Sequence, residues 1–157
     1  MPSDFGTFAL LSAIADRFDA NKDRLARLMT EEMGKPIAQS VAEIEKCASG
    51  FRYYAEHGPA MLEDRVIDLG ERKALVRWLP EGPVLAVMPW NFPFWQVVRF
   101  LGPTIMAGNV GLLKHSSLTP GCAAAIEAMV SEAGAPEGLF QNLHVGSGAV
   151  ADIIADD

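Results

Sequence analysis

Short apolar segments alternate with helical segments three times in the second half of the chain, and this alternation constrains the fold more than any other feature. The apolar segments cover residues 84–87, 110–113 and 139–145. The helical segments follow them at 94–107, 119–134 and 149–155. The second of these is predicted to begin with Thr119 as N-cap and Pro120 at the first helical position. Alternation at this spacing predicts parallel strands joined by right-handed crossovers. We therefore expect an α/β chain that contains part of a doubly wound parallel sheet.

Polar segments follow each of the three predicted strands. They are Met-Pro-Trp-Asn at 88–91, Lys-His-Ser-Ser at 114–117 and Gly-Ser-Gly at 146–148. Doubly wound sheets bind their ligands at the carboxyl ends of the strands, which is where these segments lie. Candidate functional residues are therefore expected in these three places.

The first sixty residues have the periodicity of helices. Apolar residues recur at three- and four-residue steps from Phe8, with a break at 19–21. Gly34 and Pro36 end a helix, because glycine adopts the left-handed cap and proline cannot continue the turn. The helix that follows has one apolar stripe and an opposite face that we predict to be solvated. The stripe holds Ile37, Val41, Ile44, Ala48, Phe51 and Tyr54, and the solvated face holds Glu43, Glu45 and Lys46.

Residues 65–80 change from helical to strand character. Two short runs of β-type residues, 66–69 and 74–79, lie on either side of a Gly-Glu-Arg segment at 70–72. This pattern predicts a β-hairpin. A Glu-Gly-Pro segment at 81–83 separates the hairpin from the first strand of the parallel sheet.

The charge balance argues against two classes of partner. Thirteen lysines and arginines stand against twenty aspartates and glutamates, which gives a net charge of −7 without a basic cluster. Duplex DNA and anionic membrane surfaces are therefore not expected as partners. The most apolar region, 94–113, is interrupted by Arg99, Gly102 and Gly108 and does not have the pattern of a membrane span.

Cysteine use and the N-terminal residues favour the cytoplasm as the location. Cys47 and Cys122 are too few for a disulfide framework and match no zinc motif, which is typical of a reducing compartment. Asp4 stands where a signal peptide would need a basic residue. The three histidines have no metal-ligand spacing, so we expect no metal site.

Two polar residues at strand ends each allow two interpretations. Asn91 is either an N-cap for the next helix, which its spacing favours, or an amide donor that stabilises an oxyanion. Lys114 is either a solvent-exposed strand end, which burial preferences favour, or a donor to ribose hydroxyls or a phosphate. Ser116 and Ser117 would lie close to that ligand, although they serve equally well as turn residues.

Two further signals fall short of a complete site. Residues 146–151 match the G-x-G-x-x-A fingerprint of dinucleotide-binding loops, but the acidic residue that would support it belongs about 20 positions later, past Asp157. Cys122 lies in the first turn of a helix, where the dipole can lower a thiol pKa, but no base is identified for it. We therefore assign both Cys122 and Cys47 to small-residue packing.

Residues 87–95, Val-Met-Pro-Trp-Asn-Phe-Pro-Phe-Trp, strongly resemble a motif of the aldehyde dehydrogenase superfamily. The resemblance covers nearly the whole chain from Phe8 onward, because further segments follow in the order found in that family. Within the superfamily the sequence is most similar to the succinate-semialdehyde dehydrogenase branch, which implies succinate semialdehyde as the small aldehyde substrate. The further segments are 31–36, 106–109, 113–117 and 132–138.

The resemblance implies a Rossmann-type cofactor domain together with a small oligomerisation domain. It assigns residues 1–64 to the helical part of the cofactor-binding domain, 65–80 to an oligomerisation hairpin and 81–157 to a partial NAD(P)-binding domain. Through the hairpin, it also implies a homo-oligomer in the full-length form of the enzyme.

The resemblance gives roles to the strand-end residues. In the family, the asparagine at the position of Asn91 helps to bind the oxyanion formed when a cysteine thiolate attacks an aldehyde. The thiohemiacetal then passes a hydride to the nicotinamide, and water assisted by a glutamate releases the acid. Lys114 is similar to the family lysine that holds the adenosine ribose or its 2′-phosphate. The cofactor-binding residues implied in this way are Trp90, Asn91, Lys114, His115, Ser116, Ser117 and Gly146.

The position three residues after that lysine favours NADP over NAD. Many NAD-preferring relatives have glutamate there, whereas this chain has Ser117. Since no carboxylate is present to repel a 2′-phosphate, we expect NADP to be accepted and preferred, with NAD as the other possible cofactor.

The resemblance accounts for only part of an enzyme of this family. Family chains are far longer, their nucleophilic cysteine and general-base glutamate lie past the position of Asp157, and Cys122 does not match the nucleophile's motif. We therefore expect an N-terminal portion that has no dehydrogenase turnover alone. The alternative is a non-catalytic truncated paralogue that joins full-length subunits through the hairpin edge and the helical face.

Overall fold

Three helices form the first part of the described chain, where the sequence predicted helical structure with a break at 19–21. The structure is a computed structural model that describes residues 4–156, with side chains described from residue 6. The helices follow one another with short breaks as α1 (Asp4–Ala20), α2 (Lys22–Met33) and α3 (Ile37–Met61). Gly34 ends α2 with a φ of +76° and donates its N–H to the carbonyl of Thr30 at 2.9 Å, which confirms the predicted helix stop. Within residues 4–156, no helix is both long and apolar enough to cross a membrane.

A two-stranded antiparallel hairpin follows the helices, which confirms the prediction for 65–80. Its strands are β1 (Arg65–Asp68) and β2 (Lys73–Val76). The Asp68 carboxylate accepts the N–H of Gly70 at 2.9 Å inside the turn, where Gly70 has a φ of +80°. Nearly every side chain of the two strands is exposed, so the hairpin contributes little to the core.

The second half of the chain forms a three-stranded parallel sheet whose connections are helices. In chain order its elements are β3 (Pro83–Val87), α4 (Trp95–Met106), β4 (Val110–Lys114), α5 (Pro120–Glu132), β5 (Phe140–Asn142), a 3-10 turn (Ser147–Ala149) and α6 (Val150–Ile154). The strands lie in the order β3-β4-β5 and pair in parallel. The α/β fold with part of a doubly wound sheet is therefore confirmed, although β5 is shorter than the strand predicted at 139–145.

An aromatic cluster joins the N-terminal helices to α4. The centroid of the Phe18 ring on α1 lies 5.6 Å from that of Phe51 on α3 and 6.1 Å from that of Phe94, which precedes α4. All three rings are fully buried. Because aromatic rings remove large apolar surfaces from water, this cluster packs the start of α4 against α1 and α3.

The prediction of a solvated face on α3 is wrong at Glu43. That side chain is buried because its carboxylate pairs with Lys35 and accepts two backbone N–H groups at the start of α4. Glu45 on the same helix does lie at the surface, where it pairs with the partly exposed Lys22 at 2.8 Å. The charged face of α3 therefore contains one carboxylate that points into the fold.

The prediction that Thr119 caps α5 is also wrong. Thr119 directly precedes the helix, but its hydroxyl lies 3.1 Å from Nδ1 of His115 and makes no bond to a first-turn N–H. The N–H groups of Gly121 and Cys122 instead donate to the two carboxylate oxygens of Glu32 on α2, at 2.7 and 2.8 Å. A carboxylate from a distant helix thus takes the place of a local cap.

Candidate functional site

The carboxyl ends of the three strands lie side by side. β3 and β4 pair with Val87 opposite Lys114, and the N–H of Met88 donates to the carbonyl of Lys114 at 3.1 Å. On the other side of β4, the N–H of Leu143 donates to the carbonyl of Leu113 at 2.7 Å. The segments that follow the strands therefore meet at one edge of the sheet, which we call the strand-end edge: 88–94, 115–119 and 143–148.

Asn91 lies in the segment between β3 and α4, and its side chain is exposed. The Glu43 oxygen Oε1 accepts the N–H of Phe94 at 3.1 Å and that of Trp95 at 3.0 Å. No local side chain caps α4, so the interpretation of Asn91 as a helix cap is wrong. Within residues 6–156 the Asn91 amide makes no hydrogen bond, and its N–H groups are therefore available at the strand-end edge.

Lys35 and Glu43 hold this segment from the helical side. The two side chains are 8% and 5% exposed and form an ion pair. The ammonium of Lys35 also lies 4.0 Å from the centroid of the Phe92 ring, which is within the range of cation–π attraction. The pair thus contacts the segment at Phe92, Phe94 and Trp95, just after the exposed asparagine.

His115 joins two of the strand-end segments. Its Nδ1 accepts the N–H of Ser116 at 2.8 Å, so the ring proton is on Nε2, which donates to the carbonyl of Pro93 at 2.9 Å. Burial lowers the pKa of His115, although its hydrogen bonds with the backbone at Pro93 and Ser116 oppose that shift. The ring is therefore a neutral link between the segments. A contact between His115 and a cofactor stays a prediction.

The interpretation of Lys114 as a solvent-exposed strand end is wrong. The residue ends β4 and is 8% exposed. Within residues 6–156, no carboxylate forms an ion pair with its ammonium. In the described residues no buried side-chain nitrogen lacks a hydrogen-bond partner, so the Lys114 ammonium itself reaches solvent, where it is available to donate to an acceptor at the strand-end edge.

The other predicted cofactor residues also lie at the strand-end edge. The Ser116 hydroxyl accepts a backbone N–H two residues further on at 3.2 Å, as a turn residue does, and Ser117 is exposed. Trp90 exposes a large aromatic surface. Gly146 has an extended backbone, and its carbonyl accepts the N–H of Ala149 at 3.2 Å in the 3-10 turn. Their contacts with a cofactor stay predictions.

Neither cysteine is placed as a nucleophile. Cys122 is fully buried, and burial together with the nearby Glu32 carboxylate raises its pKa far above the usual thiol range. Burial likewise raises the pKa of Cys47. Because the thiolate is the reactive form and both residues lie in the apolar core, their predicted packing role is confirmed. In the described part of the chain, no group of three or more His, Cys, Asp or Glu side chains is arranged to hold a metal ion.

Sequence reasoning missed the two carboxylates that hold the strand-end segments. Glu43 accepts two N–H groups at the start of α4, and Glu32 accepts two at the start of α5. A signal was present, because each shares a helix face with buried residues at three- and four-residue steps. Glu32 lies three residues after the buried Met29. Glu43 lies three residues after the buried Ser40 and four residues before the buried Cys47.

Known proteins resemble this chain over most of its length. A model of the aldehyde dehydrogenase family matches residues 8–157. The NADP(+) succinate-semialdehyde dehydrogenase 1 of Mycobacterium tuberculosis is 51% identical over 148 residues, which are 92% of this chain and 32% of that protein. The probable NADP(+) succinate-semialdehyde dehydrogenase of Synechocystis is 48% identical over 147 residues, or 94% and 32% of the two chains. The chain thus spans about a third of the length of these relatives.

Solved structures of longer enzymes contain the same fold. A succinic semialdehyde dehydrogenase from Streptococcus pyogenes, in complex with NADP+ as the cofactor, matches with a TM-score of 0.96 and 32% identity over 100% of this chain and 34% of that one. A succinate-semialdehyde dehydrogenase from Burkholderia pseudomallei matches with a TM-score of 0.93 and 30% identity, covering 100% and 33%.

The substitution His115→Gln should flatten the pH dependence of stability. Because burial lowers the native pKa below the ordinary value of 6.5, the unfolded chain takes up this proton first as the pH falls. The native protein therefore loses free energy of unfolding below about pH 6.5, a loss that the variant lacks. Urea unfolding of the complete protein between about pH 8 and about pH 5 tests this. Parallel pH profiles for the two proteins would contradict it.

Proposed function

This chain belongs to the aldehyde dehydrogenase family, and we propose that it supplies part of the site at which NAD(P) oxidises an aldehyde to its carboxylic acid. One observation carries the proposal: the strand-end edge presents two donors that have no partner within the described residues. They are the exposed amide of Asn91 and the ammonium of Lys114, which reaches solvent from a largely buried side chain. The names of the relatives favour succinate semialdehyde as the aldehyde.

In this proposal Lys114 holds the ribose-phosphate end of the cofactor. An ammonium carries a positive charge and three N–H donors, and ribose hydroxyls or a 2′-phosphate are acceptors that match it. The exposed Ser117 nearby adds a hydroxyl and no negative charge, which favours NADP over NAD. The names of the relatives and the NADP+ complex of the Streptococcus pyogenes enzyme support this choice. The remaining members of the proposed cofactor set are Trp90, Asn91, His115, Ser116 and Gly146.

Asn91 stabilises the negative charge that develops on the aldehyde oxygen. When a thiolate adds to the carbonyl carbon, the electron pair of the C=O bond moves to oxygen, and an N–H group directed at that oxygen lowers the barrier. An amide without an internal partner makes this bond without breaking another. The nicotinamide cofactor, when bound, provides the acceptor for the hydride.

The thiolate comes from neither cysteine of these 157 residues. Cys47 and Cys122 are buried, and their raised pKa values keep both as thiols. We therefore expect no reduction of NADP by succinate semialdehyde with these residues alone. The proposed activity is assigned to the complete protein in which they act.

The exposed hairpin serves oligomerisation in this proposal, and residues 1–64 and 81–157 belong to the cofactor-binding part. Exposed apolar patches of this kind mark protein interfaces. The exposed apolar side chains of the hairpin segment include Val66, Leu69, Leu75, Trp78 and Leu79.

The substitution Trp78→Asp should dissociate the complete protein, because it places a charge within this apolar surface. Sedimentation velocity should show a shift toward smaller species. An unchanged sedimentation coefficient would contradict the assignment of the hairpin to an interface.

The substitution Asn91→Ala should lower kcat by about a hundredfold, because a donor to the developing oxyanion is lost. Steady-state kinetics of the complete protein with succinate semialdehyde and NADP measure this. Cys122→Ser is the control and should retain kcat. A wild-type kcat in the Asn91 variant would contradict the proposed role, and a complete protein without any turnover would favour the non-catalytic alternative.

The substitution Ser117→Glu should weaken NADP binding more than NAD binding. A carboxylate at this exposed position repels the 2′-phosphate, which NAD lacks. We expect the Kd of NADP to rise about tenfold, or about 1.4 kcal/mol, and the Kd of NAD to change less than about threefold. Ser117→Gln adds a side chain of the same size without the charge and is the control. Equal losses for the two cofactors would contradict the prediction.

A further inference from the structure

The segment that presents Asn91 has few backbone contacts of its own. Met88 donates to the carbonyl of Lys114, and the next N–H that donates to a backbone carbonyl is that of Gln96, in the first turn of α4. The N–H groups between these two residues donate to no backbone carbonyl. Since backbone polar groups need partners when they are removed from water, this segment depends on side chains for its position.

Side chains from the N-terminal helical layer, which consists of α1, α2, α3 and their connecting turns, hold the segment in place. Glu43 on α3 accepts the N–H groups of Phe94 and Trp95 through Oε1 and pairs with Lys35 through Oε2. Lys35, in the turn between α2 and α3, places its ammonium against the Phe92 ring. These contacts fall on the first, third and fourth residues after the exposed asparagine.

The burial of this ion pair argues that its role is positional. Replacing a buried ion pair with apolar side chains of similar volume is often neutral or stabilising. A gain in stability therefore does not by itself explain why a buried ion pair is present. Apolar side chains cannot accept backbone N–H groups, whereas the Glu43 carboxylate accepts two in fixed directions. Lys35 provides the counter-charge that a buried carboxylate needs.

We propose that Lys35 and Glu43 are positioning residues for Asn91 in aldehyde oxidation. They fix the Phe92 ring and the start of α4, and so they determine where the Asn91 amide lies when charge develops on the aldehyde oxygen. A donor of this kind must be in place before the reaction occurs, and misplacement by about 1 Å can cost about a hundredfold in rate. The inference rests on the proposed function of Asn91 and adds two residues of the helical layer to its site.

Glu32 provides a comparison within the same molecule. It accepts two N–H groups at the start of α5 in the same manner, but α5 follows the segment after Lys114. A general loss of stability would affect Glu32 and Glu43 variants alike. If the two residues act by positioning, their variants should differ: a substitution at Glu43 should lower kcat, and a substitution at Glu32 should raise the KM for NADP.

The test is the steady-state kinetics of the complete protein with succinate semialdehyde and NADP. Glu43→Gln should lower kcat by about tenfold to a hundredfold and leave the KM for NADP within about threefold of wild type. Glu32→Gln should raise that KM with a smaller effect on kcat. Glu45→Gln makes the same change at an exposed site on α3 and should leave both constants unchanged.

Coupling between the two sites gives a second readout. In an Asn91→Ala background, Glu43→Gln should change kcat by less than about twofold, because both residues act through one hydrogen bond to substrate. A wild-type kcat in the folded Glu43→Gln variant, or an undiminished effect in the Asn91→Ala background, would overturn the proposal. If Asn91→Ala alone retains the wild-type kcat, the proposed function fails first, and the inference fails with it.

A milder variant keeps the test decisive if Glu43→Gln does not fold. Glu43→Asp retains the charge opposite Lys35 and withdraws the carboxylate by one methylene from the N–H groups of α4. It should then show the same selective loss of kcat. A folded Glu43→Asp variant with wild-type kcat would overturn the proposal in the same way.

Discussion

Two carboxylates of the N-terminal helices hold the beginnings of α4 and α5, the helices that connect the strands of the parallel sheet. The first N–H groups of any helix have no partner within that helix, and they carry partial positive charge that favours an anion. At α4 the partner is Glu43, and at α5 it is Glu32. Local side chains cap neither helix. The two layers are therefore joined by directed hydrogen bonds as well as by apolar packing.

These contacts organise the strand-end edge because each helix begins where a strand has just ended. Holding the start of α4 constrains the segment that carries Asn91, and holding the start of α5 constrains the segment that follows Lys114. His115 links the two segments through the carbonyl of Pro93. With the backbone held by other groups, the side chains of Asn91 and Lys114 remain without partners in the described residues, and they can bind a ligand.

Local sequence patterns predicted the elements of this fold, but they did not predict contacts between distant elements. Gly34 indicated a helix end because its positive φ depends on the residue itself. Glu43 was misassigned because its burial depends on Lys35 and on α4, which follows it by about fifty residues. Thr119 was misassigned for a related reason, since its hydroxyl contacts a buried histidine. The burial of Lys114 likewise depends on how the layers pack, which periodicity does not reveal.

Amide hydrogen exchange of the complete protein tests the central claim most directly. If the two carboxylates hold the helix starts, the N–H groups of Phe94, Trp95, Gly121 and Cys122 should exchange at least about tenfold more slowly than that of Ala38, in the uncapped first turn of α3. Mass spectrometry with fragmentation resolves these positions. Exchange of all four groups at the rate of Ala38 would contradict the account, because the strand-end segments would then lack the contacts that position them.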